Sequence, residues 1–250
     1  MKDDLGHPVD TAGPVRRVVS LVPSLTEAIA ATRRDALVGA TDWCTHPADL
    51  DVARVRGTKN PDRSAVVELA PDLVIANREE NRELDITRLR EAGIPVWVTV
   101  IETVDGAFAS MRRMFTEALG WDVPGWLDEA EQVWAAPARV DGRRVAIPIW
   151  RDPWMVVGAR TFTGDLVERL GLVNVFGDPG VNPRQERYPH VELADIDADI
   201  VLLPDEPYVF TADDGPEAFA ADTRLVPGRS LTWYGPSMVT ARTELEALLG

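Results

Sequence analysis

The chain has a single cysteine, Cys44, among 250 residues. That excludes an internal disulfide and any zinc or iron–sulfur centre built on several cysteines. Histidine is almost as scarce, with three residues. His7 falls in the N-terminal tail, which leaves His46 and His190 for acid–base work. No apolar run exceeds strand length, so no segment is a candidate transmembrane helix. Residues 1–14, MKDDLGHPVDTAGP, hold no apolar core, no small-residue cleavage site and no lipidation cysteine. This start predicts a cytoplasmic protein. The G-x-G-x-x-G, G-x-x-x-x-G-K-[ST], H-E-x-x-H and G-x-S-x-G signatures are all missing, so the common nucleotide, zinc-protease and hydrolase chemistries have no foothold. Positive charge is in deficit: 26 Lys and Arg against 41 Asp and Glu give a formal net charge of −15. Binding to a nucleic-acid backbone needs clustered cations and is excluded, and no basic amphipathic stretch suits an anionic membrane surface.

What is present is ordinary globular composition, 45% hydrophobic and 27% charged. A chain this long buries roughly 70–75% of its unfolded surface and needs no covalent staple. Apolar runs alternate with amphipathic stretches. Arg17–Val22, Leu37–Thr41, Leu73–Ala76 and Pro95–Val100 read as strands. Ser24–Arg33, Ser64–Ala70, Asp85–Ala92 and Val104–Leu119 read as helices. Ser24 and Glu27 have the spacing of a capping box. A further helix, Trp126–Ala136, is stopped by Pro137, and then the pattern restarts. Arg144–Ile149, Met155–Val157, Ile200–Leu203 and Ser230–Trp233 read as strands, with helices over Thr163–Leu170 and Ser237–Leu249. Strand–helix alternation implies parallel sheets with right-handed crossovers. The halves echo each other, VVELAPDLVIAN against VELADIDADIVLLPD. The expected organisation is an α/β lobe over 15–120, a linking helix within 121–142, and a second α/β lobe over 143–250. A helical link predicts little relative motion of the lobes.

Ligands of such sheets collect at the carboxyl ends of strands. Trp43, Trp150, Trp154, Tyr208, Trp233 and Tyr234 all fall at expected strand ends, and their large amphipathic rings suit a ligand-binding rim. Each also has the alternative of packing a core. Arg78, Arg82, Arg151 and Arg187 share these loops and would meet carboxylates, of a ligand or of the protein surface. Glu79 and Glu80 read as a carboxylate pair or as a solvated turn. Cys44 and His46 offer two metal ligands, with Asp42 and the Glu79 loop nearby in the pattern; the other reading is a buried thiol beside a loop histidine. No metal site is assigned.

Over residues 16–249 the segments RVVSLVPSLTEAIAA, LVGATDWCTHP, GTKNPD, ELAPDLVIANREENR, LREAGIPVWV, PIWRDPWMVVGARTFTGDLVERLGLVNVF, RYPHVELADIDADIVLLPDEPY and SLTWYGPS resemble the class III, helical-backbone substrate-binding proteins of ABC importers, most of all the cobalamin-binding branch. The resemblance implies two Rossmann-like lobes joined by a rigid α-helix. It implies one bulky metal chelate, a corrinoid, haem or ferric siderophore, held between the lobes without catalysis. Pro23, Ser24, Lys59 and Asn60 join Trp43, Cys44, Glu79, Glu80, Trp150, Arg151, Trp154, Arg187, Tyr208, Trp233 and Tyr234 as the ligand-binding set it implies. Family members are normally periplasmic or lipid-anchored, and dock an ABC permease through one carboxylate per lobe. Those positions are Ser64 and Ala194 here, and Asp62, Glu68, Glu192 and Asp195 are near but out of register. The linking helix is also short, about 16 Å at 1.5 Å per residue. Docking in the usual way is therefore not expected. A cytosolic sensor or carrier with the same fold is the alternative. A tetrapyrrole-modifying enzyme using His46 or His190 is a third.

Overall fold

The computed structural model describes residues 1–137 and 141–250. The expected linking segment 121–142 includes 138–140, which lie outside the described residues. Contacts divide the chain into two units. The first comprises Met1–Ile101, Asp105–Glu129 and Tyr234–Pro236; the second comprises Glu102–Val104, Ala130–Trp233 and Ser237–Gly250.

The first unit is built on strands β1 (Val18–Ser20), β2 (Leu37–Ala40), β3 (Ala53–Arg54), β4 (Arg56–Gly57), β5 (Asn60–Pro61), β6 (Leu73–Asn77) and β7 (Val96–Thr99). Its sheet has the order β3-β2-β1-β6-β7, and every pair is parallel. β4 and β5 form a separate small hairpin. Helices α1 (Pro23–Arg33), α2 (Arg63–Glu68) and α3 (Glu83–Glu91) lie between the strands. β6 is buried along its whole length, as an inner parallel strand covered on both faces must be. Val19, Val74, Val96 and Val98 pack with Val66, Ile86 and Leu89 of α2 and α3 into one core. Helix α4 (Val104–Arg113) runs into a wider π-turn, Met114–Ala118, so the single helix expected over Val104–Leu119 changes geometry at its end. Helix α5 (Gly125–Ala135) contributes residues to both units.

The second unit carries β8 (Arg144–Ala146), β9 (Pro148–Trp150), β10 (Met155–Val156), β11 (Val173–Asn174), β12 (Ile200–Pro204) and β13 (Asp222–Val226), with helices α6 (Phe162–Arg169), α7 (Gly228–Thr232) and α8 (Met238–Leu249). β11-β8-β12-β13 form a parallel sheet, and β9 and β10 an antiparallel hairpin. The α/β class with parallel sheets is as the sequence implied. Among the described residues no helix is long and apolar enough to cross a membrane.

Three local readings need correction. Ser24 is not the N-cap of α1. The helix starts one residue earlier, at Pro23, with Val22 as N-cap and no side-chain cap. Proline's fixed φ already suits the first helical turn. The run Arg144–Ile149 is two strands, because Pro148 cannot continue a ladder that needs its N–H. Ser230–Trp233 is not a strand. Gly228–Thr232 is helical, and Gly228 N donates to the Asp205 carboxylate at 2.6 Å just after β12. The edge strand is β13, Asp-Thr-Arg-Leu-Val, whose polar composition hid it.

Candidate functional site

In the first unit the chain leaves β1 straight into α1, which places Pro23 and buried Ser24 at the strand's carboxyl end. The loop after β2 is organised from inside. Arg54 donates to the carbonyls of Thr41 and Cys44, both at 2.9 Å, and to Leu50 at 3.1 Å. The Cys44 thiol is fully buried, 3.0 Å from Thr26 Oγ1 and 3.1 Å from Thr41 Oγ1. Burial pushes this thiol up, the hydroxyls only partly offsetting it, so it stays protonated and shielded. Among the described residues no group of three His, Cys, Asp or Glu could hold a metal ion. Pinned between these anchors, Trp43 stands outward with 67% of its surface exposed.

The turn after β6 is equally constrained. Asn77 Oδ1 accepts from Glu79 N at 2.8 Å, and Asn77 N donates to Asn81 Oδ1 at 2.9 Å. Asn81 Nδ2 reaches the Leu21 carbonyl at 3.2 Å and the Thr58 carbonyl at 2.9 Å. The β4–β5 hairpin tip is thereby tied to the ends of β1 and β6. Lys59 Nζ on that tip donates to the Glu79 carbonyl. Gly57 keeps the hairpin close: a Cβ there would lie 3.3 Å from Trp43 Nε1. Trp43, Lys59, Asn60, Glu79 and Glu80 thus share one rim of this unit. Tyr234, also of this unit, is buried, and the Gly235 backbone beside it approaches the Ser24 carbonyl.

Burial pushes the Glu80 carboxyl above the usual range, with the Lys59 ammonium pulling it back down. The native state therefore binds this proton more tightly than the unfolded chain. The resulting stabilisation is complete below the ordinary glutamate pKa and is lost as pH rises through the raised native value. Glu80→Gln should remove this dependence. Urea unfolding from about pH 4 to about pH 8 should show the variant gaining on the parent as pH rises; a parallel pair of profiles would contradict this reading.

In the second unit Trp150 and Trp154 flank the turn between β9 and β10. Trp150, 45% exposed, meets Tyr208 edge-on at 5.7 Å. Trp154 stacks on Phe210 at 6.1 Å, meets Phe219 at 5.2 Å, and packs against the Val201–Leu203 core. It is a rim residue rooted in the core. Arg151 lies over Trp154 at 5.5 Å and is gripped by Asp214 and by Glu217, the latter at 2.6 Å. Asp214 also accepts from Tyr208 Oη at 2.6 Å, which pushes the phenol up. Arg187 pairs with Glu102. Trp233 follows α7 rather than a strand and is only 7% exposed. The structure therefore brings Trp150, Arg151, Trp154 and Tyr208 together and leaves Trp233 in the interior. Phe210, Phe219, Asp214 and Glu217 were missed. The alternation of Tyr208 and Phe210, followed by acids around Gly215-Pro216, was the available signal.

No family model matches the chain. Over 179 residues it is 27% identical to the vitamin B12-binding protein of Pectobacterium atrosepticum, covering 66% of this chain and 64% of that protein. A 104-residue stretch is 28% identical to the vitamin B12-binding protein of Vibrio campbellii, 41% of this chain and 38% of that protein. The matched stretches thus span less than two thirds of these relatives. Among solved structures, the periplasmic vitamin B12 binding protein BtuF of Vibrio cholerae superposes with a TM-score of 0.71 at 19% identity, covering 94% of this chain and 97% of that one. The periplasmic heme-binding protein RhuT from Roseiflexus gives 0.76 at 20%, covering 93% and 97%. Helicobacter pylori CeuE with Ni(II) bound gives 0.79 at 15%, covering 98% and 87%. The chain has the fold of these binding proteins, and the resemblance read from its sequence holds.

Proposed function

We propose that this protein is a non-enzymatic binding protein for a bulky metal chelate, and that the chelate is a corrinoid with carboxamide edges. Residues 15–120 and 143–250 act as its two lobes and 121–142 as their link. The relatives' namesake ligand, vitamin B12, supports the class. The observation that carries the choice is the state of the rim cations. Arg151 is held by Asp214 and Glu217 and Arg187 by Glu102, whereas Lys59 donates to the Glu79 main-chain carbonyl. Haem propionates or an anionic ferric siderophore would have to compete with these carboxylates. Neutral carboxamides need only hydrogen-bonding partners, which Asn60, Glu80 and Tyr208 supply, while Trp43 and Trp150 offer ring faces.

The usual permease contact is not part of this reading. Ser64 lies exposed in α2 and Ala194 exposed in the short turn Leu193–Asp195, and neither has a carboxylate. Asp62 is already engaged as the cap of α2, accepting from Ala65 N at 3.2 Å.

The test is a titration with cyanocobalamin, haemin and a ferric catecholate. Cyanocobalamin should bind, and Trp150→Ala should weaken it by about 1–3 kcal/mol, the scale of a buried aromatic contact. The urea midpoint should hardly move, since the ring is half-exposed. Preference for haemin, or indifference to Trp150→Ala and Trp43→Ala alike, would overturn the proposal.

A further inference from the structure

β7 is an edge strand of the first unit. The run from Val96 to Val100, VWVTV, has no charge and no proline and is β-branched at four of its five positions. Such an edge pairs readily with a copy of itself unless something blocks it. In a parallel ladder a residue donates its N–H to one neighbour-strand carbonyl and accepts from the N–H two residues further on. Asp4 does both across from Thr99. Its N–H donates to the Val98 carbonyl at 3.1 Å, and its carboxylate Oδ2, in place of a main-chain carbonyl, accepts from Val100 N at 3.0 Å. The carboxylate is held by Ser110 Oγ at 2.5 Å and Arg113 Nη1 at 2.5 Å, with 11% of the side chain exposed.

The turn around Asp4 is closed by its neighbour. Asp3 Oδ1 accepts from Leu5 N at 3.0 Å and His7 N at 2.8 Å. Its other oxygen pairs with Arg90 at 2.7 Å, and Arg90 also donates to the Val96 carbonyl at 3.3 Å. Val96 O, Val98 O and Val100 N are all engaged in this way. Gly6, at φ 82°, turns the chain back, so the pairing stops after one residue.

We propose that residues 2–9 are an edge plug, in which Asp4 stands in for a strand one residue long and keeps β7 from pairing with β7 of a second copy. The second copy is the fitting occupant because the run is uncharged and self-complementary, and two-fold antiparallel pairing would join the two sheets edge to edge.

The experiment is sedimentation velocity of the full chain across a wide concentration range, with amide hydrogen exchange. Asp4→Ala should dimerise with an association constant at least about tenfold above the parent, with Val100 N–H protected in the dimer. Asp4→Asn, which keeps a side-chain carbonyl for Val100, should stay as monomeric as the parent. A folded, monomeric Asp4→Ala would overturn the proposal, as would a dimer with Val100 unprotected. Association of Asp4→Asn equal to that of Asp4→Ala would also overturn it, by making charge the cause. If Asp4→Ala does not fold, Ser110→Ala removes one partner of the carboxylate; no association by that variant counts against the plug.

Discussion

Gly158→Ala is expected to lower stability by at least about 3 kcal/mol, the upper range for forced overpacking. A Cβ at this position would fall inside the van der Waals shell of the Glu186 carbonyl oxygen, 2.8 Å from Pro189 Cδ and 3.1 Å from the Arg187 carbonyl. These are mostly backbone atoms, so no side chain can swing away. The segment after β10 cannot retreat either. Gly158 N donates to the Arg187 carbonyl at 2.7 Å and Ala159 N to the Glu186 carbonyl at 3.1 Å. The Gly158 carbonyl accepts from Asn174 Nδ2 and Thr161 Oγ1, both at 3.2 Å. Relieving the clash means breaking several buried hydrogen bonds together. Urea unfolding measures the loss; a midpoint within error of the parent would show that the 186–189 segment yields freely. Because that segment carries Arg187, the variant should also disturb the Arg187–Glu102 pair.

Arg242→Ala should cost about 1–3 kcal/mol, because it removes a buried guanidinium that donates to three part-buried carbonyls. Arg242 is 6% exposed. Its guanidinium donates to the carbonyls of Val133 at 3.0 Å, Ala136 at 2.8 Å and Pro137 at 2.9 Å, and pairs with Glu246 at 2.9 Å. It also lies 5.9 Å over the Trp134 ring. The last carbonyls of a helix have no partner within the helix, and here one residue of α8 caps the end of α5. Lysine cannot copy this arrangement, since a point charge lacks the planar fork; Arg242→Lys should recover only part of the loss. Equal stability of both variants and the parent would show that water caps α5 instead.

The elements with two buried faces were legible in the sequence. β6 and β12 announce themselves as uninterrupted apolar runs, and the Glu83–Glu91 helix ends at Gly93, where φ is 80°. β13 was not legible, because an edge strand half open to solvent carries Asp, Thr and Arg. Its place went to Ser230–Trp233, whose aromatic and β-branched residues imitate a strand while Gly228 and its bond to Asp205 start a helix. At the rim, Trp43 and Trp150 were legible as large rings at strand ends. Their setting was not. Arg151 and its partners Asp214 and Glu217 are 63 and 66 residues apart, and no local pattern marks a contact across that distance. Trp233 failed for the same reason as its strand: its position was inferred from an element that does not exist.

The unequal burial of the eight tryptophans has an optical consequence. Trp97, Trp121, Trp134 and Trp233 are buried, whereas Trp43 and Trp150, one in each unit, are the most open to solvent. Indoles in water emit at longer wavelength than indoles in an apolar interior, so the red edge of the emission belongs largely to these two rings. Under the proposed function, a coloured chelate resting on either ring would quench the red edge most strongly and shift the residual emission toward the blue. Under that reading the protein would report occupancy through the colour of its own emission, with no label attached.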